Sequence, residues 1–321
     1  MKAVRLHDYG TSKDLKYEEA PIPGINDNEI LIRVYATSVN HLEIMKGGGE
    51  MKEKISLEFP WIPGQDFSGV VERTGKNISS FKEGDRVYGN CNGGSYAEFL
   101  VPDMDKVDLM PDNLNFLEAA TVPHVGETAW QAIHIHGQLK KGQKVLIHGA
   151  AGAVGAFAVQ FAHNIGAKVY GTASDKDIEY VKSLGADEVI DYATTDFSTA
   201  FKDMDLVLVL VGGDTQKKSY SVLKHGGRLV STTGAILEDE AKKRNVTGIA
   251  MVIKQSAKDL QRISELIEAG KVKTDVAVTF DLKDAGNGWA MLTGEDPTLG
   301  RITHGKIVLQ VLKEDGSKPK L

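Results

Sequence analysis

Proline placement divides this 321-residue chain more sharply than any single motif does. Seven of its nine prolines (Pro21, Pro23, Pro60, Pro63, Pro102, Pro111 and Pro123) precede residue 124, and none occurs from Val125 to Asp296. Proline cannot donate to a sheet ladder, so it confines strands to short or edge positions. The first third therefore predicts an irregular all-β unit, with strands over Glu29–Val34, Phe67–Glu72 and Asp85–Tyr88. The proline-free stretch instead alternates strands with helices. Lys144–Gly149 reads as an apolar strand, and Ala153–Ile165 carries Val154, Phe157, Ala158, Phe161, Ala162 and Ile165 at helical spacing. Lys168–Ala173 is a second strand, Lys176–Leu184 a second helix, and Glu188–Ile190 a short third strand. Leu206–Val211 is apolar on both faces, as central parallel strands are, and Arg228–Thr232 and Val246–Ile253 share its character. Such alternation predicts a doubly wound parallel sheet with crossover helices. From about Lys271 the pattern is β again, over Val276–Phe280 and Lys306–Val311, which predicts a return to the first unit. The closing KEDGSKPKL reads as a solvated tail.

Composition narrows the function. The balance of 38 Lys+Arg against 44 Asp+Glu leaves a net charge of −6, which argues against nucleic acid as the main partner. A single cysteine, Cys91, excludes an intrachain disulfide and a four-cysteine structural zinc lobe. No apolar run approaches the roughly 20 residues that span a bilayer. The opening MKAVRLHDYG lacks the apolar stretch of a secretory signal, so a soluble cytoplasmic protein with no membrane partner is expected.

The strongest chemical signal is KVLIHGAAGAVGAFAVQFA. It contains Ala150-x-Gly152-x-x-Gly155, a dinucleotide loop with alanine at the first glycine position. Gly152 lets backbone approach a pyrophosphate, and Gly155 lets the helix pack close to its strand. The N–H groups around Ala153 and Val154 offer the phosphates the positive end of the helix. The cofactor type is read at the end of the next strand, in VYGTASDK. The ribose position falls on Ala173 or Ser174, neither of them acidic; Ser174 can donate to a 2′-phosphate and Lys176 can supply charge, which favours NADPH. A shift of one residue would put the Asp175 carboxylate there and favour NAD. Ser174 and Asp175 also suit a plain helix N-cap.

With these residues in hand, the chain resembles the medium-chain dehydrogenase/reductase superfamily, and within it the zinc-independent quinone oxidoreductase branch. The resemblance covers essentially the whole length. It rests on PWIPGQDFSGVVERTG, FKEGDRVYG, SYAEFLVP, LEAATVP followed by ETAWQAI, HGAAGAVG, GTAS, SLGADEVIDY, LKHGGRLVSTTG and HGKIVLQV, all in the family's order. It implies a GroES-like β domain built from residues 1–124 and 266–321, around a Rossmann domain of residues 125–265. Where zinc-dependent relatives hold metal, this chain has Asn40, Gln65 and, near the third position, His124. Two neutral amides are poor zinc ligands, so no metal is expected; Glu43 and Asp66 remain nearby as carboxylates suited to structural hydrogen bonding. His134 and His136, two apart on a predicted helix, diverge and cannot chelate. Cys91 reads as a free thiol.

The resemblance also assigns roles. Thr128 aligns with a residue packing the nicotinamide, and Lys306 with a basic contact to pyrophosphate. His41 aligns with another such position, although an ordinary exposed histidine fits equally. Tyr192 resembles a residue beside the adenosine phosphate. Val211, Thr233 and Gly234 stand at the carboxyl ends of strands, where parallel sheets bind ligands. Val209 and Leu210 replace the Asp-Thr that relatives often carry. The implied chemistry is hydride delivery from NADPH to a quinone or α,β-unsaturated carbonyl, where incoming charge spreads onto a conjugated oxygen. The Asn40 amide is the candidate donor to that oxygen, and a buried amide that ties strands together is the alternative. No general acid stands out. Family members are homodimers joined through the last Rossmann strand, here Val246–Ile253. Two other readings stay open: an NADPH-binding structural or regulatory protein with little turnover, and a metal-dependent alcohol dehydrogenase.

Overall fold

The computed structural model describes residues 1–313; residues 314–321, and with them all but the first residue of the KEDGSKPKL tail, lie outside the described residues. The N-terminal third forms β1 (Lys2–Arg5), β2 (Lys16–Glu19), β3 (Ile30–Ser38), β4 (Asp66–Thr74), β5 (Arg86–Asn90), β6 (Phe99–Leu100) and β7 (Val107–Leu109). The middle forms β8 (Lys144–His148), β9 (Lys168–Ala173), β10 (Glu188–Asp191), β11 (Met204–Val209), β12 (Leu223–Ser231) and β13 (Thr247–Ala250). The chain closes with β14 (Val276–Asp281) and β15 (Lys306–Gln310).

These strands build two main sheets. The middle strands form a six-stranded sheet in the order β10-β9-β8-β11-β12-β13, every pair parallel. The other is seven-stranded, in the order β14-β15-β3-β4-β5-β7 with β6 added on β3, so both chain ends share one sheet. The proline-rich and proline-free stretches thus become a GroES-like β domain and a Rossmann-like α/β domain. Leu206, Val207, Leu208 and Val209 of β11 are sealed on both faces, each such side chain contributing about 1.5–3 kcal/mol on burial. The apolar segment outruns its strand: β11 stops at Val209, and Val211 turns out to the sheet edge.

The helix Ala153–Ile165 forms as its spacing predicts and ends at Gly166, whose φ of +81° supplies the left-handed cap. The helix predicted over Lys176–Leu184 is shorter. Residues Asp175–Asp177 make a 3-10 turn before Ile178–Ser183. Between the domains runs the helix Pro123–Trp130, followed by a π-helical run over Gln131–His136 in which the Trp130 and His134 rings pack 3.8 Å apart. No helix among the described residues is long and apolar enough to cross a membrane.

Candidate functional site

A cleft of about 780 Å³ opens at the carboxyl edge of the parallel sheet, where β8 has β9 on one side and β11 on the other. This is the topological switch point at which such sheets bind ligands. Its walls come from the turns after β8 (Gly149, Ala151, Gly152), β9 (Ser174, Asp177), β10 (Tyr192 to Phe197) and β11 (Val211, Gly212). Ile302 and Thr303 reach it from the other domain.

Gly149 makes the turn itself, with φ +69°, and this explains why Ala150 is tolerated at the first glycine position of the motif. Ala150 is wholly buried and donates its N–H to Thr172 O. At Gly155 an added Cβ would lie 2.2 Å from Gly149 O, so only glycine allows this helix-to-strand contact. At Gly152 the same atom would meet only Gly149 O at 3.4 Å, leaving open space on the cleft side. Gly152 is the N-cap and provides no side chain to the first N–H groups of the helix, which have no intrahelical acceptors either. Uncapped N–H groups, the positive end of a 13-residue helix and a glycine cradle on a cleft this large fit a dinucleotide pyrophosphate.

At the ribose end the structure adds an acid that the sequence reading did not name. Asp177 is 4% exposed, lines the cleft and accepts the Ser174 hydroxyl at 2.5 Å. Ser174 lines the cleft, whereas Lys176 is exposed and does not. The lysine on the wall is Lys218, whose ammonium lies 3.5 Å from Asp196. The sequence signal was there, since Ser-x-x-Asp before a helix is a turn-capping spacing. Tyr192, 66% exposed, and Val211 line the same cleft. Ala153, Val154, Thr233 and Gly234 are not among its lining residues, although Thr233 Oγ1 donates to Val211 O. The floor holds His148, its ring fixed between Thr172 and Ser219 and its pKa pushed down by burial to about 3, which leaves it no role as a base.

The remaining candidates gather in a second group, in the β domain and at the start of the helix Pro123–Trp130. Asp66, fully buried, is its hub. It accepts from Ser38 Oγ (2.6 Å), Asn40 Nδ2 (2.9 Å) and the His124 N–H (2.7 Å), and Lys306 Nζ stands 3.6 Å away. Lys306 is 5% exposed and donates to Val39 O (2.9 Å) and Asn40 Oδ1 (2.5 Å). Burial lowers its pKa, against the pull of Asp66 and Glu43. The pairing fixes the Asn40 amide, because an ammonium can face only its oxygen and a carboxylate only its nitrogen. Glu43 accepts the Asn40 N–H and the Tyr96 hydroxyl, and burial raises its pKa to about 7. Thr128 Oγ1 donates to His124 O, one turn back. His41 is the first residue of the helix His41–Gly47, which follows Asn40; it is exposed, its pKa lowered by partial burial and by Lys306. Among the described residues, no three His, Cys, Asp or Glu side chains are grouped to hold a metal ion.

Comparison with known proteins agrees with this architecture. Residues 26–112 match the alcohol dehydrogenase GroES-like domain, and residues 184–309 match a family described as zinc-binding dehydrogenase. The 2-methylene-furan-3-one reductase of Solanum lycopersicum is 35% identical over 285 residues, covering 85% of this chain and 70% of that protein. The human quinone oxidoreductase is 31% identical, covering 84% of this chain and 86% of its own. The chain belongs to the medium-chain dehydrogenase/reductase superfamily, in its quinone oxidoreductase-like family. The crystal structure of an Escherichia coli quinone oxidoreductase complexed with NADPH superposes on this family member with a TM-score of 0.85 at 25% identity, over 97% of this chain and all of that one. Within this quinone oxidoreductase-like chain, the Lys306 ammonium, the Asn40 amide and the Asp66 carboxylate are bonded together, with Glu43 and His124 beside them.

Proposed function

We propose that the protein is an NADPH-dependent oxidoreductase that transfers hydride to a quinone or an α,β-unsaturated carbonyl. The uncapped helix N-terminus at Gly152, open to the interdomain cleft, is the observation that carries this reading. The relatives give the substrate class: one is named for a conjugated furanone, one for quinones, and the superposed Escherichia coli structure holds NADPH.

In this reading the backbone around Gly152 to Gly155 holds the pyrophosphate. Lys218 supplies the charge for the 2′-phosphate, Ser174 stands at the ribose with its hydroxyl held by Asp177, and Tyr192 and Val211 pack the adenosine side. When bound, the cofactor supplies hydride from its nicotinamide ring. Thr128 and Asn40 lie on the nicotinamide side, with His41 and Lys306 as positive charges near it. Lys306 already brings a cation to Asp66, and a metal ion at Asn40 and Gln65 would have to displace or face it; this supports a metal-free reaction. The two sheets support the division at residues 1–124, 125–265 and 266–321, since strands from Ile30 to Leu109 and from Val276 to Gln310 share one sheet and those from Lys144 to Ala250 form the other. Edge strand β13, next to the 86% exposed Val252, is the surface for a homodimer.

The test is a turnover screen of the purified protein with NADPH and NADH over quinones, enones and aldehydes, together with a zinc determination. NADPH oxidation by a quinone or an enone, with zinc well below equimolar, is the expected result. Saturable NADPH binding without any oxidation would select the regulatory reading, and equimolar zinc the metal-dependent one.

A further inference from the structure

The cleft at the carboxyl edge of the parallel sheet is lined by three aspartates, Asp177, Asp196 and Asp214, against one lysine, Lys218. A wall meant only for an extra phosphate would carry the opposite balance. Two of the acids are accounted for by water and local bonds. Asp196 accepts from Ser198 and faces Lys218, and both Asp196 and Asp214 are exposed. Asp177 differs. It is buried, and no cation pairs with it among the described residues. One oxygen, Oδ2, accepts the Ser174 hydroxyl; the other, Oδ1, has no partner among the described residues and is not sealed. A buried side chain thus turns an unpartnered carboxylate oxygen to the cleft it lines.

The ordinary reason for a serine and an aspartate at such a place is helix capping, and it does not hold here. Ser174 precedes the 3-10 turn Asp175–Asp177, and Asp177 precedes the helix Ile178–Ser183, yet neither side chain makes a capping bond. They face each other instead, because the Asp177 N–H donates to Ser174 O and closes the turn. With its hydrogen spent on Asp177, Ser174 Oγ shows the cleft only lone pairs, and a carboxylate likewise only accepts. Two adjacent acceptors match the hydroxyl hydrogens of a ribose diol, whereas a 2′-phosphate brings them only oxygen and like charge. Lys218 acts in the opposite sense, as the cation for that phosphate. We propose that Asp177 sets the coenzyme selectivity: it accepts a hydroxyl hydrogen of the unphosphorylated ribose, so that the protein binds NADH as well as NADPH. The proposal rests on the reductase reading above and names the residue that limits its preference for NADPH.

One measurement on the unaltered full chain and one variant test this, both by binding rather than turnover. Calorimetric titrations with 5′-AMP and with adenosine 2′,5′-bisphosphate compare two ligands that differ only in the 2′-phosphate. Their dissociation constants should agree within about tenfold, because Asp177 offsets Lys218. A larger preference for the bisphosphate overturns the proposal, whether or not any variant folds. Asp177→Asn keeps the size of the side chain and an oxygen for the Ser174 hydroxyl but removes the charge. The dissociation constants of the two coenzymes should then move apart, NADPH binding about tenfold tighter and NADH about tenfold weaker. A residue that merely braces the turn would weaken both alike, so parallel shifts, or none, also overturn the proposal. If the unaltered protein binds neither NADPH nor NADH, the reductase reading fails and the proposal with it. If it binds both and Asp177→Asn leaves their ratio unmoved, only the role of Asp177 is refuted.

Discussion

At Glu127, burial and hydrogen bonding pull in opposite directions. The carboxyl is fully buried between the domains; one oxygen accepts the Ser256 N–H at 2.6 Å and the other the Asn90 amide, yet burial outweighs both donors and raises its pKa to about 9. A group whose folded pKa is raised stays protonated in the fold while the unfolded chain ionises. Stability is then lost as pH climbs from about 4.5 towards 9. Glu127→Gln removes that titration and should gain on the parent by about 3 kcal/mol between pH 6 and 8, read as a widening gap between the two denaturation midpoints. A constant gap would mean that Glu127 is ionised in the fold. Single residues were also the least legible level of the sequence. Lys306 reads as a pyrophosphate contact from its motif, but its ammonium turns inward to Asn40, because β15 lies against β3 and the side chain meets Val39 O at once. Asp177 is hidden in the sequence because the ribose position directly follows β9, while the turn brings the fourth residue after the strand back to the cleft.

Elements were far more legible, since periodicity and glycine report directly on backbone geometry. Strands β4, β5, β8 and β9 and the helix Ala153–Ile165 lie within a few residues of their predicted bounds, whereas β12 starts at Leu223, five residues early, since polar Lys224 and His225 interrupt its apolar pattern. The two loop glycines do different jobs, and the difference can be measured. Gly155→Ala puts a methyl group 2.2 Å from a backbone oxygen that cannot give way, so the helix must lift from its strand. The expected cost is about 1–3 kcal/mol of stability. Gly152→Ala meets nothing closer than 3.4 Å and its φ of −64° suits alanine, so the fold should hold while NADPH binding weakens. Thermal denaturation and a binding titration on the pair separate the two. If Gly152→Ala binds NADPH as the parent does, the pyrophosphate does not rest on that turn.

At the scale of the whole molecule, the two domains are tied across the mouth of the cleft by a contact that no motif announces. The loop leading into β15 contributes Ile302 and Thr303 to the cleft wall, and the next residue, His304, bonds Asp275 through Nδ1 at 2.7 Å. The His304 ring also stacks on Tyr180, centroids 4.1 Å apart, and Tyr180 belongs to the Rossmann-like domain. Sequence alone could not bring residues 180, 275 and 304 together, because their contact exists only once β14 and β15 have returned to the first sheet. The His304–Asp275 hydrogen bond is half-exposed, which limits it to about 1 kcal/mol or less. Because its effect falls on the loop rather than on either core, His304→Ala should leave the denaturation midpoint nearly unchanged and weaken NADPH binding about fivefold, the equivalent of about 1 kcal/mol. Turnover at saturating NADPH should be close to that of the parent. A variant that binds NADPH as tightly as the parent would show that this loop plays no part in holding the cofactor; one that loses global stability would make the contact a strut of the fold instead of a clasp on the cleft.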